Sequence, residues 1–335
     1  MLRLPPFRYH RPATVTEAVE LMGEHAGRAM YVAGGTDLVP NMKHRLFEPG
    51  HLVALKGIGE LKGIREEAGG GGAAGGVMRI GAAETLTAVA TDATVRARFP
   101  ALATAAAHVA GPQLRNAGTI GGNVCLDTRC TYYNQTEFWR HALGYCLKKD
   151  GDVCHVTRVG KKCVAAHSAD TPPVLMTLGA TAVLVGPDGR RELPVADFFV
   201  TDGIANTRRA PDEVLTEIRI PLEAAGRRQA YAKLRQRKAI DFPLLTVAVA
   251  ADCEADGTVR AIDGVVTGLG SRPRVLTGWQ DVAEGRKLDD DVIEELAQRA
   301  HKQCHPLENI IVDPEWRRAM VPVYVRRALL ELRAA

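Results

Sequence analysis

Seven cysteines are the residues of this sequence best suited to chemistry, because a thiolate binds soft metal ions and iron–sulfur clusters. An odd number of cysteines argues against a complete disulfide framework. Two of them, Cys253 and Cys304, stand alone and are expected to be ordinary core or surface thiols. The other five form a local cluster that is typical of a metal or iron–sulfur site: Cys125, Cys130, Cys146, Cys154 and Cys163.

A glycine-rich segment at Val32–Leu38 (VAGGTDL) indicates a second kind of chemistry. Its two glycines follow a predicted strand and precede a predicted helix. Glycine lets backbone N–H groups approach an anion closely, and a helix N-terminus adds its dipole, so this turn suits a pyrophosphate. The segment has neither the Gly-x-Gly-x-x-Gly pattern nor the Walker lysine. A plain strand-to-helix turn is therefore the alternative interpretation.

A second glycine-rich segment covers Gly111–Asn123 (GPQLRNAGTIGGN). It contains another Gly-Gly pair, flanked by threonine and asparagine side chains that can form hydrogen bonds. Alone, the segment is predicted to be a turn or loop. Two such segments in one chain favour a clamp around a single extended ligand.

The hydrophobic pattern predicts the elements that must position these segments. Apolar runs predict strands at Ala29–Ala33, His51–Leu55 and Val77–Gly81. The low-complexity stretch Ala68–Gly76 (AGGGGAAGG) predicts a flexible hairpin tip or loop. Residues 125–165 hold the cysteine cluster but lack clean periodicity, which indicates an inserted loop held together by something other than a regular core.

The last third of the chain has a different pattern, strands followed by helices. Strands are predicted at Tyr231–Leu234, Leu245–Ala251 and Val259–Leu269, and helices at Asp289–His301 and Pro314–Leu332. This order predicts a separate α+β domain.

Composition excludes several classes of protein. The 335 residues are 46% hydrophobic and 24% charged, as in a globular protein, and the net charge of +4 is too small to make nucleic acid the main partner. No run of about 18 apolar residues predicts a membrane span. The start of the sequence has no secretory signal pattern. We therefore expect a cytoplasmic protein with no membrane and no nucleic-acid partner.

The segments YVAGGTDL and LRNAGTIGGN resemble motifs of the flavin subunit, or medium subunit, of the xanthine dehydrogenase family of molybdenum hydroxylases. The resemblance covers essentially the whole chain and implies an α+β fold. It implies a two-part FAD-binding domain of the PCMH-like type at residues 1–222, with subdomains at 1–55 and 56–222. An iron–sulfur insertion would occupy about 125–165, and a C-terminal α+β domain would follow at 225–335.

In that family the two glycine-rich segments wrap FAD. The resemblance implies that the first holds the pyrophosphate region and that the second lines the isoalloxazine and ribityl side. It also implies an acidic residue and a lysine near the flavin, in the words HSAD and YAK. The expected FAD-binding residues are Val32, Ala33, Gly34, Gly35, Thr36, Asp37, Leu38, Thr119, Gly121, Gly122, Asn123, Asp170 and Lys233.

The insertion resembles one branch of the family, the flavin subunit of 4-hydroxybenzoyl-CoA reductase, in its words NVCLDTRC, YYNQ, GYCLK and CHV. That branch carries an extra [4Fe–4S] cluster here, so the resemblance implies four ligands: Cys130, Cys146, Cys154 and Cys163. Cys125 or His155 is an alternative ligand. Structural zinc also uses four cysteines, although usually in closely spaced pairs, and free buried thiols are a third interpretation.

The leading hypothesis is an oxidoreductase subunit that carries FAD and one [4Fe–4S] cluster and has no catalytic acid–base residue. The resemblance implies a large molybdenum-pterin subunit and a small [2Fe–2S] subunit, assembled as a dimer of heterotrimers. Electrons would enter from a ferredoxin-like donor and remove the phenolic hydroxyl of an aromatic acyl-CoA at molybdenum. In the alternative, a substrate is hydroxylated at molybdenum, and its electrons leave through FAD to NAD or another acceptor. A zinc-stabilised flavin module without a molybdenum partner is an alternative of another class.

Overall fold

The computed structural model describes residues 2–68, 75–157 and 160–335. The strands in these ranges are β1 (Arg8–His10), β2 (Ala29–Val32), β3 (His51–Ala54), β4 (Ile64–Glu67), β5 (Val77–Gly81), β6 (Thr181–Gly186), β7 (Gly189–Pro194), β8 (Val214–Pro221), β9 (Arg228–Leu234), β10 (Leu245–Cys253), β11 (Val259–Thr267) and β12 (Arg274–Val275). The helices in these ranges are α1 (Val15–Glu24), α2 (Leu38–Lys43), α3 (Leu86–Thr91), α4 (Ala93–Arg98), α5 (Pro100–His108), α6 (Pro112–Ala117), α7 (Ile120–Val124), α8 (Glu137–Leu143), α9 (Thr171–Thr177), α10 (Val195–Phe198), α11 (Gln280–Ala283), α12 (Asp290–Gln303) and α13 (Pro314–Ala334). The predicted glycine-rich loop falls mostly on residues 69–74, which lie outside the described residues.

The N-terminal part is a parallel sheet in the order β1-β3-β2, with α1 packed beside it. α1 begins after Thr14, whose hydroxyl accepts a hydrogen bond from the N–H of Glu17 at 3.1 Å and so caps the helix. Its apolar residues recur on one face and are buried. β2 pairs in register with β3 up to Val32 and Ala54. The first glycine-rich segment therefore leaves the sheet from the end of β2.

A five-stranded sheet in the order β4-β5-β8-β6-β7 forms the middle of the chain, and all its strand pairs are antiparallel. Residues of α3, α4, α5 and α9 share one hydrophobic core with this sheet. Tyr231 of β9 and Ala248 of β10 belong to the same core. The C-terminal sheet therefore packs on the helices of the middle part.

The C-terminal part is a four-stranded antiparallel sheet in the order β12-β11-β10-β9. The strands and helices predicted for this part of the chain are confirmed, within one to three residues at most ends. α12 begins after Asp289, whose carboxylate accepts a hydrogen bond from the N–H of Val292 at 2.8 Å. α13 packs on β9 and β10, α12 packs on α13, and both helices share a core with the sheet that includes Trp279 and Cys304.

The predicted turn or loop at Gly111–Asn123 is wrong in part, because Pro112–Ala117 forms the short helix α6 and Ile120–Val124 forms the short helix α7. Glycine is a poor helix former, and this lowered the helical signal of the sequence. Local contacts outweigh that preference: the hydroxyl of Thr119 caps α7 by accepting from the N–H of Gly122 at 3.0 Å.

Helices segregated from two antiparallel sheets confirm the predicted α+β class. No helix among the described residues is long and apolar enough to cross a membrane.

Candidate functional site

A cavity of about 520 Å³ opens where β2, α7 and the loop after β9 meet. Its volume is within the range of pockets that bind small organic ligands. Lys233 is absent from its lining, but the other residues predicted to bind FAD all line this cavity: Val32, Ala33, Gly34, Gly35, Thr36, Asp37, Leu38, Thr119, Gly121, Gly122, Asn123 and Asp170.

The first glycine-rich segment lines the cavity with little side-chain bulk. Gly35 has φ of +68°, in the left-handed region that glycine adopts without strain. A Cβ on Gly34 would collide with the carbonyl oxygen of Ala117, because the segment packs directly on the backbone at the end of α6. Both glycines are thus required by the local backbone, and the two glycine-rich segments touch each other.

The second glycine-rich segment reaches the cavity at the start of α7. A Cβ on Gly121 would lie 2.7 Å from the carbonyl oxygen of Ala82, so this position also excludes a side chain. The Oδ1 atom of Asn123 accepts hydrogen bonds from the N–H and the hydroxyl of Thr171, at 3.0 and 2.7 Å. This amide ties α7 to the first residue of α9 and keeps the segment in place.

Asp170 supplies a buried negative charge to the cavity wall. Its carboxylate accepts a hydrogen bond from the hydroxyl of Tyr231 at 2.6 Å and pairs with the ammonium of Lys233 at 2.9 Å. Lys233 also donates to the carbonyl oxygen of His108 at 2.9 Å. Burial raises the pKa of Asp170 and lowers the pKa of Lys233, and their mutual attraction opposes both shifts. Since each member has a second hydrogen-bond partner, we take the pair as ionised at neutral pH. Lys233 therefore supports Asp170 from behind the wall.

Three residues outside the two glycine-rich segments also line the cavity: Arg129, Arg209 and Phe242. Arg129 forms an ion pair with Asp37, and its guanidinium carbon lies 4.2 Å from the ring centroid of Phe242. Neither Phe242 nor Arg209 belongs to a glycine-rich motif or to a segment with hydrophobic periodicity, so only the fold identifies them as cavity-lining residues.

A second, small cavity lies in the insertion and is lined by all four cysteines that the resemblance implies as cluster ligands: Cys130, Cys146, Cys154 and Cys163. Cys125 lines the 520 Å³ cavity instead. Cys253 and Cys304 lie in or against the C-terminal core, as expected. None of the seven cysteines, all of them within the described ranges, forms a disulfide.

The electrostatics of the second cavity differ from one thiol to the next. Burial raises the pKa of Cys130 to about 11, and the three neighbouring thiols add to this shift. Burial also acts to raise the pKa of Cys154, but hydrogen bonds from the hydroxyl of Thr157 and from nearby backbone N–H groups outweigh it and lower the pKa. Burial raises the pKa of Cys163, although the N–H of Ala165 donates to its sulfur at 3.4 Å and opposes this shift. Backbone N–H groups directed at sulfur stabilise thiolates.

The spacing of these sulfurs bears on what they could hold. Among the described residues, no three cysteine sulfurs lie all within 4.8 Å of one another. Tetrahedral zinc, with bonds to sulfur of about 2.3 Å, would hold its four sulfurs about 3.8 Å apart. Three of the four thiols are buried and Cys130 is half-buried. Because any three of the four sulfurs include a pair more than 4.8 Å apart, they suit a group larger than one ion, and four cysteine thiolates are the usual ligands of a [4Fe–4S] cluster. The residues present therefore fit such a cluster.

A short segment, Asp127–Cys130, connects the two cavities. Asp127 and Arg129 line the larger cavity, and Cys130 lines the smaller one. Since consecutive Cα atoms are about 3.8 Å apart, the Cα atoms of Asp127 and Cys130 are at most about 11 Å apart. Lys148, which lines the smaller cavity, donates to the carboxylate of Asp127 at 2.6 Å. A partly buried ion pair thus joins the two sites.

Two family models match the chain and together cover most of it. The "FAD binding domain in molybdopterin dehydrogenase" matches residues 5–223. The "CO dehydrogenase flavoprotein C-terminal domain" matches residues 229–332. The larger cavity is lined mostly by residues of the first match.

Curated relatives and solved structures agree with these models. The chain is 32% identical to the carbon monoxide dehydrogenase medium chain of Hydrogenophaga pseudoflava, over 97% of this chain and 96% of the relative. It is 31% identical to the aldehyde oxidoreductase FAD-binding subunit of Escherichia coli (strain K12), over 77% of this chain and 81% of the relative. The solved carbon monoxide dehydrogenase from Hydrogenophaga pseudoflava that lacks the Mo-pyranopterin moiety matches with a TM-score of 0.80 at 31% identity, over 99% of both chains.

Proposed function

Because the chain belongs to the FAD-binding medium subunits of the molybdenum hydroxylase family, we propose that it holds FAD in the 520 Å³ cavity and a [4Fe–4S] cluster on four cysteines, as the electron-transfer subunit of an oxidoreductase. One observation carries the proposal. Two glycine-rich segments from distant parts of the sequence meet on one cavity, and each contains a glycine whose Cβ would collide with backbone. Bound FAD exchanges electrons singly or in pairs, and a [4Fe–4S] cluster exchanges them singly.

The chain's own residues orient the flavin. Val32–Leu38 would bind the pyrophosphate region, where the absence of side-chain bulk lets backbone N–H groups approach. Thr119, Gly121, Gly122 and Asn123 would line the isoalloxazine and ribityl side. Asp170 is the acceptor on this wall, and Lys233 keeps its carboxylate ionised and oriented.

Four residues of the insertion would ligate the cluster: Cys130, Cys146, Cys154 and Cys163. Three facts support this role: the four thiols line one cavity, no three of their sulfurs lie all within 4.8 Å of one another, and the basic residue Lys148 lines the same cavity. A positive charge there balances part of the negative charge of four thiolates. The Asp127–Cys130 segment, which contributes lining residues to both cavities, would place the two groups near each other. We further propose the division into residues 1–222, with subdomains 1–55 and 56–222, and 225–335.

For the reaction, we propose reductive dehydroxylation of an aromatic acyl-CoA, as in the 4-hydroxybenzoyl-CoA reductase branch. The sequence motifs that the insertion shares with that branch support this reaction, because a cluster in the insertion would let electrons enter from a low-potential donor such as ferredoxin. The partners would be a large molybdenum-pterin subunit, which binds the substrate, and a small [2Fe–2S] subunit. We propose a cytoplasmic dimer of heterotrimers.

The second candidate reverses the flow of electrons. The relatives named as carbon monoxide dehydrogenase and aldehyde oxidoreductase favour it, because a dehydrogenase passes electrons from substrate to an external acceptor. A zinc-stabilised module is the weaker alternative, because the cysteine sulfurs are spread too widely for a single ion.

The test is to purify the complex anaerobically through a tag on this chain and to assay it in both directions. We expect a large and a small subunit in equal amounts, and formation of benzoyl-CoA from 4-hydroxybenzoyl-CoA with reduced ferredoxin. Oxidation of carbon monoxide or an aldehyde with an electron acceptor, and no action on the acyl-CoA, would favour the second candidate. Recovery of the chain alone, active with its own substrate, would contradict both.

A further inference from the structure

Three histidines far apart in the sequence meet on the N-terminal sheet. His10 ends β1, His25 follows the last residue of α1, and His51 begins β3. One ring nitrogen of each lies within 4.8 Å of the others, and among the described residues they are the only such group of three metal-binding side chains. Nε2 of His10 lies 2.9 Å from Nδ1 of His51. The rings of His25 and His51 stack with centroids 3.6 Å apart.

The backbone fixes the three positions independently of the side chains. The N–H of His51 donates to the carbonyl oxygen of Arg28 at 3.1 Å, and the N–H of Arg28 donates to the carbonyl oxygen of His25 at 2.9 Å. β1 pairs with β3 in parallel, with Arg8 opposite His51. The histidines are brought together by three different elements, and all three are half-buried, so a hydrated ion can reach them.

We propose that His10, His25 and His51 form a binding site for a divalent transition-metal ion with a preference for imidazole, such as Zn²⁺, Ni²⁺ or Cu²⁺. Neutral imidazole nitrogen is the usual protein ligand of these ions, and three of them leave a fourth position for water. Rotation of the stacked rings about their side-chain torsions would turn the nitrogens toward one point.

The charges around the three histidines are expected to give the site a moderate affinity for a metal ion. The carboxylate of Glu24 lies 3.7 Å from Nε2 of His25 and offers a negative counter-charge. Arg28 and Arg8 lie close enough to His51 for their positive charges to act on it. The same two arginines oppose a bound cation, so neutralising one should strengthen binding.

The site is separate from both cavities, since none of its histidines lines either one. A bound ion would join β1, β3 and the end of α1. This is the sheet from which the first glycine-rich segment emerges. The inference is independent of the proposed function and concerns an ion other than iron.

The test is equilibrium dialysis of the purified complex against Zn²⁺, with zinc-edge X-ray absorption to identify the ligands. We expect one ion per chain with micromolar affinity and Zn–N distances of about 2.0 Å, whereas zinc on the cysteines would give Zn–S distances of about 2.3 Å. His25→Gln and His51→Gln should each weaken binding at least about tenfold. Arg28→Gln should strengthen it about threefold. His305→Gln, at an exposed histidine elsewhere, should leave it unchanged.

A second measurement needs no variant. Zn²⁺ should protect His10, His25 and His51 of the unaltered protein from carbethoxylation, as read by mass spectrometry, and should leave His305 reactive. Zinc bound only through sulfur, zinc affinity that survives both histidine substitutions, or equal reactivity of the triad with and without Zn²⁺ would overturn the proposal.

Discussion

Replacing Lys233 with methionine removes one partner of the buried ion pair in the flavin cavity wall. The two side chains are 1% and 4% exposed, and the ammonium lies within 3.1 Å of both carboxylate oxygens of Asp170. Without it an uncompensated carboxylate stays buried, which costs about 3–5 kcal/mol in the free energy of unfolding. Because the hydroxyl of Tyr231 still donates to Asp170, we expect the lower end, about 3 kcal/mol, at pH 7.

The dependence on pH follows from the remaining carboxylate. Burial already raises the pKa of Asp170, and loss of Lys233 raises it further. The folded state then binds a proton more tightly than the unfolded state, so stability is regained as the pH falls. The defect should be largest at pH 7 and smaller at pH 5.

Urea unfolding, followed by circular dichroism at both pH values, measures this effect. The double variant Lys233→Met/Asp170→Asn should regain most of the loss, because no unpaired charge is left. Lys238→Met, at an exposed lysine in the loop after β9, is the control and should change stability by less than about 0.5 kcal/mol. If Lys233→Met is as stable as the original chain at pH 7, or the double variant is no better than the single one, the ion-pair reasoning is refuted.

Two further substitutions separate the two cofactor sites, and a third tests a helix cap. Gly34→Val should abolish FAD binding and leave iron in place, because the side chain collides with backbone beside the cavity; retention of stoichiometric flavin by absorbance would contradict this. Cys146→Ser should remove iron and leave FAD, with Cys253→Ser as a control that keeps both; loss of flavin with iron retained would reverse our assignment of the sites. Thr119→Ala should cost about 1 kcal/mol in the free energy of unfolding through loss of a helix cap; an unchanged urea midpoint would show that the cap is dispensable.

Hydrophobic periodicity predicted the elements whose apolar residues follow a regular spacing, such as β5, β10 and α12. It did not reveal β8 (Val214–Pro221), a strand inside the middle sheet. β8 carries the charged residue Glu217, which is buried because it forms an ion pair with Arg79. A charged residue is predicted to be exposed when its ion-pair partner lies far away in the sequence. The hydrophobic pattern therefore did not predict this strand.

The candidate site was predictable to the extent that it depends on local backbone rules. A Cβ atom would collide with backbone at Gly34 and Gly121, and Gly35 has a positive φ, which favours glycine. Positions of this kind require glycine and therefore produce recognisable sequence motifs. Phe242 lines the cavity only because the C-terminal sheet packs against α5 and α9, which no local pattern encodes. The position of Lys233 behind the wall depends on the same packing.

The most direct test of the account is cofactor analysis of the chain purified without oxygen, with iron, acid-labile sulfide, zinc and flavin measured on one sample. We expect about four iron, four sulfide and one FAD per chain, with no stoichiometric zinc. One FAD with no iron, or with about one zinc, would contradict the claim that the insertion holds a [4Fe–4S] cluster and would remove the case for a low-potential electron donor.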